Sequence, residues 1–65
     1  MNNIKAIREA KGITQKGLAK AANISAPFLY DLEQNRRGAK PETWARIADA
    51  LGVEVNDLID REQSA

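Results

Sequence analysis

The chain has 65 residues, no cysteine, no histidine and a formal net charge of +1. That length holds one domain (1–65, core about 4–60), and its composition excludes a disulfide staple, a Cys/His zinc site, a thiolate nucleophile and a histidine base. No apolar run reaches the roughly 18 residues of a membrane span, and Met1–Lys5 lacks the apolar core of a signal peptide, so the expected compartment is the cytoplasm, with no membrane partner.

The charge is unevenly spread. Residues 1–40 carry eight Lys/Arg against Glu9, Asp31 and Glu33, a net of +5. Residues 41–65 carry Arg46 and Arg61 against six acids, a net of −4. A basic front and an acidic back would steer a polyanion to one face. The plainer alternative is two ordinary solvated surfaces.

In chain order, Asn2 or Asn3 caps a first helix from about Ile4 to Lys11, with Ile4, Ile7 and Arg8 on one face. Gly12 stops it. Thr14 caps a second helix, Gln15 to about Ala22, whose inner stripe is Leu18, Ala19 and Ala22. Gly17 stands where Glu would complete a capping box, at a cost of roughly 1 kcal/mol relative to Ala. Asn23 takes the turn, because Asn tolerates the left-handed conformation. Ser25 caps a third helix, from Ala26 or Pro27 to about Gln34, with Pro27 in the first turn, where its missing N–H is harmless. Asn35 closes it. A basic loop, Arg36–Lys40, leads to a fourth helix, Pro41 to Leu51, with Trp44, Ile47, Ala48 and Leu51 at i, i+3, i+4, i+7. Gly52 ends that helix. A short fifth runs from Val55 to about Asp60, with Val55, Leu58 and Ile59 inward. The polar tail, 61–65, is expected to fray. Five short helices with short connectors predict a compact all-α bundle.

The third helix divides cleanly at about 100° per residue with Leu29 at zero. Leu32 and Glu33 fall on the core side. Pro27, Asp31 and Gln34 fall opposite, and Phe28 and Tyr30 flank that outer face. An inward carboxylate needs a partner, because burying a lone charge is costly. Arg8 is the natural one; the alternative is two separate surface charges.

Taken together, I-R-E-A-K-G-I-T-Q-K-G-L-A, N-I-S, L-Y-D-L-E-Q-N-R-R and A-D-A-L-G-V resemble the lambda-repressor/Cro-like (XRE-type) helix-turn-helix family over about residues 4–60. The resemblance implies that the third helix enters a DNA major groove while the second lies across the backbone. It implies phosphate contacts from Thr14, Gln15, Ser25, Gln34, Arg36 and Arg37, with the helix N-terminus adding a positive dipole end. Arg8 and Glu33 match a recurrent structural ion pair of the family. Base-reading positions fall at Ala26, Pro27, Phe28, Tyr30 and Asp31, and a dimer contact falls near Val55 and Leu58.

The base-reading positions depart from the family's habit of Gln, Arg, Asn or Ser. Bidentate Arg–guanine or Gln/Asn–adenine readout is missing at the start of this helix. Phe28 or Ala26 could touch a thymine methyl, and Asp31 could accept from a cytosine amine. Phe28 could instead pack against the second helix or the basic loop. The function expected is sequence-specific binding of double-stranded DNA by a small repressor, as a homodimer on a near-palindromic operator, without metal or other cofactor. The rival is a protein-interaction module using the outer Pro27–Phe28–Tyr30–Asp31 surface. An enzyme is disfavoured, since no nucleophile–base–orienter set is present.

Overall fold

The computed structural model describes residues 2–59. It holds five helices: α1 (Ile4–Ala10), α2 (Gln15–Ala21), α3 (Ala26–Glu33), α4 (Pro41–Leu51) and α5 (Val55–Leu58).

One device ends four of them. Gly12, Asn23, Asn35 and Gly52 all stand at positive φ, between 60° and 73°. The residue after each donates its N–H five residues back: Ile13 to Arg8, Ile24 to Ala19, Arg36 to Asp31 and Val53 to Ala48. This is the Schellman stop, which satisfies carbonyls the helix leaves open. Two of the four use Asn, whose short polar side chain lowers the left-handed penalty that other L-residues meet.

The starts are equally local. Thr14 Oγ1 accepts from the Gly17 N–H at 3.0 Å, and Ser25 Oγ accepts from the Phe28 N–H at 3.1 Å. A Cβ at Gly17 would stand 3.0 Å from Thr14 Oγ1, so the glycine's poor helix propensity is offset by room for the cap. Asn3 takes the N-cap position of α1 without a side-chain capping bond, its Nδ2 donating instead to the Asp57 carbonyl at 3.2 Å, while Asn2 Oδ1 accepts from the Ile4 N–H at 3.2 Å.

The core is Ile4, Leu18, Ala19, Ala22, Leu29, Leu32, Ile47, Ala48, Leu51 and Leu58. α2 packs against α3 and α4, and α4 against α5. Small residues on α2 let its neighbours approach closely. Fully burying a Leu or Ile side chain contributes about 1.5–3 kcal/mol, and six such side chains are wholly enclosed.

The C-terminal end departs from the expected pattern. α5 stops at Leu58, and Ile59 is extended and 36% exposed rather than inward. The cause is a pairing of the chain ends: Asn2 and Ile59 form an isolated antiparallel bridge, and the Asn3 N–H donates to the Leu58 carbonyl at 2.7 Å. The expected helical Asp60 and the expected fraying of 61–65 lie outside the described residues. Elsewhere the boundaries differ by one residue, since Lys11, Ala22 and Gln34 are the caps of their helices rather than members.

Candidate nucleic-acid interface

The orientation of α3 against α1 and α2 is fixed by a buried polar knot. Glu33, with its side chain 1% exposed, accepts from Arg8 Nε at 2.8 Å and from Arg8 Nη2 at 3.4 Å. Its Oε1 also accepts from Gln15 Nε2 at 2.9 Å. Arg8 Nη1 donates onward to the Ile13 carbonyl at 3.0 Å. Three helices and the α1–α2 connector thus meet at one carboxylate. Among the described residues no buried side-chain polar atom lacks a partner, so the charge is compensated as a buried ion must be.

With that inner face locked, the outer face of α3 is left uncovered. Pro27, Tyr30 and Gln34 are exposed, and Ala26, Phe28 and Asp31 are half-buried. Asp31 makes no side-chain hydrogen bond or ion pair with a described residue. The two cap hydroxyls sit at the starts of α2 and α3. Each uses its oxygen to accept a backbone N–H, so each keeps its own O–H donor for an outside acceptor. Gln15 likewise spends one amide hydrogen on Glu33 and retains a second.

The basic loop beyond α3 is pinned at both ends. Asn2 Nδ2 donates to the Leu32 carbonyl at 2.7 Å and to Asn35 Oδ1 at 3.1 Å. Trp44 Nε1 donates to the Ala39 carbonyl at 3.1 Å. Between these anchors Arg37 lies over the Phe28 ring, 4.9 Å from its centroid, and Arg36 lies over Tyr30 at 5.7 Å. Both arginines are exposed.

The expected residues therefore fall into two groups. Arg8, Gln15 and Glu33 come together inside. Thr14, Ser25, Pro27, Tyr30, Gln34, Arg36 and Arg37 remain at the surface, with Ala26, Phe28 and Asp31 half-buried beside them. The dimer expectation needs one correction: Leu58 is fully buried in its own core and has no surface to offer a second chain, whereas Val55 is half-buried. Sequence reasoning missed the roles of Asn2 and Trp44. Trp44 carried a usable signal, because a buried indole N–H needs an acceptor and the preceding loop supplies one. Asn2 carried none.

Two short helices joined by a left-handed Asn turn, the second held from behind and open in front, define a helix-turn-helix protein. The helix-turn-helix family profile matches residues 4–58, and the chain belongs to that family, in its XRE-type branch. It is 39% identical over 59 residues to the immunity repressor protein of Bacillus phage phi105, covering 91% of this chain and 41% of that protein. It is 37% identical over 57 residues to the HTH-type transcriptional regulator DdrOP3 of Deinococcus deserti, covering 88% of this chain and 44% of that one. It thus spans under half the length of these two relatives. The uncharacterized HTH-type transcriptional regulator YazB of Bacillus subtilis is 35% identical over 60 residues, covering 92% of this chain and 87% of its own length. Among solved structures, the clp gene regulator ClgR from Corynebacterium glutamicum superposes with a TM-score of 0.80 at 35% identity, over 83% of this chain and 57% of that one.

Proposed function

We propose that this chain is a DNA-binding regulator of repressor type that places α3 in the major groove of double-stranded DNA. The observation that carries the reading is the uncovered outer face of α3, with the Ser25 hydroxyl at its N-terminal end and the Arg36–Arg37 loop beyond its C-terminal end. Eight helical residues span about 12 Å, comparable to the width of a major groove. Thr14, Gln15, Ser25, Gln34, Arg36 and Arg37 would meet phosphates and fix register. The face bearing Ala26, Pro27 and Asp31, flanked by Phe28 and Tyr30, would meet the bases. Phosphate contacts position a protein, while base contacts choose a sequence. Without bidentate Arg, Gln or Asn at the start of α3, part of the choice falls to DNA shape. The described residues include no helix long and apolar enough to cross a membrane, which accords with action on DNA in the cytoplasm. The role involves no chemical step.

On DNA the chain would act as a homodimer on a near-palindromic operator, with half-sites roughly one helical turn apart, as helix-turn-helix dimers do. Val55 lies near that contact. Selection of bound sites from a random duplex pool tests the reading. Recovery of paired, inverted half-sites is expected. Recovery of no enriched sequence, together with capture of a protein on the Pro27–Asp31 surface, would favour the interaction-module reading instead.

A further inference from the structure

We propose that Phe28 and Tyr30 act as positioning residues: each ring holds one arginine of the following loop in place for the DNA backbone. The inference rests on the DNA-binding reading above and assigns the two rings a role other than reading bases. Phe28 and Tyr30 stand at about 260° and 100° from Leu29 around α3, on opposite flanks of its outer face. Arg37 covers the first ring at 4.9 Å and Arg36 the second at 5.7 Å, both inside the roughly 6 Å range of cation–π attraction. One guanidinium therefore sits on each flank of the helix.

Three features favour this role. Neither arginine forms an ion pair with a described residue. Stacking engages the flat face of a guanidinium and leaves its in-plane N–H donors free, whereas a salt bridge would consume them. The loop itself is held by Asn2 and Trp44, so the arginines start from a fixed base. Finally, the Schellman stop of α3 is unlike the other three. Ile13, Ile24 and Val53 follow the left-handed residue elsewhere and pack against the core, but here that position is Arg36, exposed and lying on Tyr30. Restricting a rotamer-rich side chain before binding lowers the entropy lost on binding. Phe28, already half-buried against the core and covered by Arg37, keeps little surface for a base.

The test pairs free-protein NMR with duplex binding. In the free protein, the Arg37 side-chain protons should show ring-current shifts that vanish in Phe28→Leu. On mixed-sequence duplex, Phe28→Leu should weaken binding about 2- to 5-fold. That loss should be absent in an Arg37→Ala background, with the preferred site unchanged. Tyr30 is 43% exposed, so Tyr30→Leu tests the second pair even if Phe28→Leu fails to fold; a loss of about 2-fold is expected. Tyr30→Phe, which keeps the ring, should bind like the parent. Absent ring-current shifts overturn the proposal even if the parent binds DNA. So do additive losses from Phe28→Leu and Arg37→Ala, or a Tyr30→Phe that alters the preferred sequence. A parent chain that does not bind duplex removes the DNA reading and this inference together.

Discussion

Glu33 is the residue on which the arrangement turns. It faces the core, and it is tolerable there because Arg8 and Gln15 supply donors from two other helices. Breaking a buried pair by removing one partner costs about 3–5 kcal/mol, more than most single contacts, because the remaining charge stays desolvated. Arg8→Ala should therefore lower the melting temperature by more than about 10 °C. Adding Glu33→Leu should restore much of the loss; an Arg8→Ala variant that melts like the parent would refute this account of the knot. The pair was legible in the sequence, since the helical period put an acid on the inward side and charge balance demanded a base. The Gln15 bond was not, because nothing local relates the start of α2 to the end of α3. Asp31 carries the complementary prediction. Standing on the outer face without a side-chain partner among the described residues, it should influence which sequence is bound. Asp31→Ala should change the site enriched from a random duplex pool, and an identical enriched site would remove Asp31 from the reading surface.

The helices are defined more by their ends than by their lengths. Thr14 and Ser25 start the two helices of the motif, and Asn23 sets the turn between them at φ 60°. An ordinary L-residue in that conformation costs roughly 1–2 kcal/mol, and Asn less. Asn23→Ala should destabilise the fold by about 1 kcal/mol in chemical denaturation, while Asn23→Gly should not. Equal losses in both would mean that the Asn side chain, not its backbone, matters. These ends were readable because their causes lie within a few residues. Helix 5 was not: four residues provide no period, so nothing separated buried Leu58 from exposed Ile59. The bridge to Asn2 that decides the matter joins residues at opposite ends of the sequence. The arginine–ring pairs were legible only in part: packing of Phe28 on the basic loop was one of the alternatives, but spacings of six and nine residues across a loop match no helical neighbour and so did not name the partners.

At the level of the whole molecule, charge is segregated by structure as well as by sequence. Glu42, Asp49 and Glu54 rim a groove between α4 and α5, against one base, Arg46, which pairs with Glu42, whereas Arg36, Arg37 and Lys40 occupy the loop beside the outer face of α3. Such separation orients an approaching polyanion, although the net charge of +1 alone would attract it weakly. The fold could be anticipated from the chain because its stops, caps and stripes agree. The surface proposed to select a DNA sequence was harder to read, because its side chains are small, apolar or covered by the loop arginines. The central claim is that this surface binds duplex DNA through phosphate contacts made by the loop arginines. The most direct measurement is the affinity for mixed-sequence duplex as a function of salt. The logarithm of the binding constant should fall linearly with the logarithm of salt concentration, with a slope of about −2 or steeper from the two arginines. Arg36→Ala and Arg37→Ala should each make that slope shallower by about one. Absence of binding at low salt, or binding indifferent to salt, would contradict the claim.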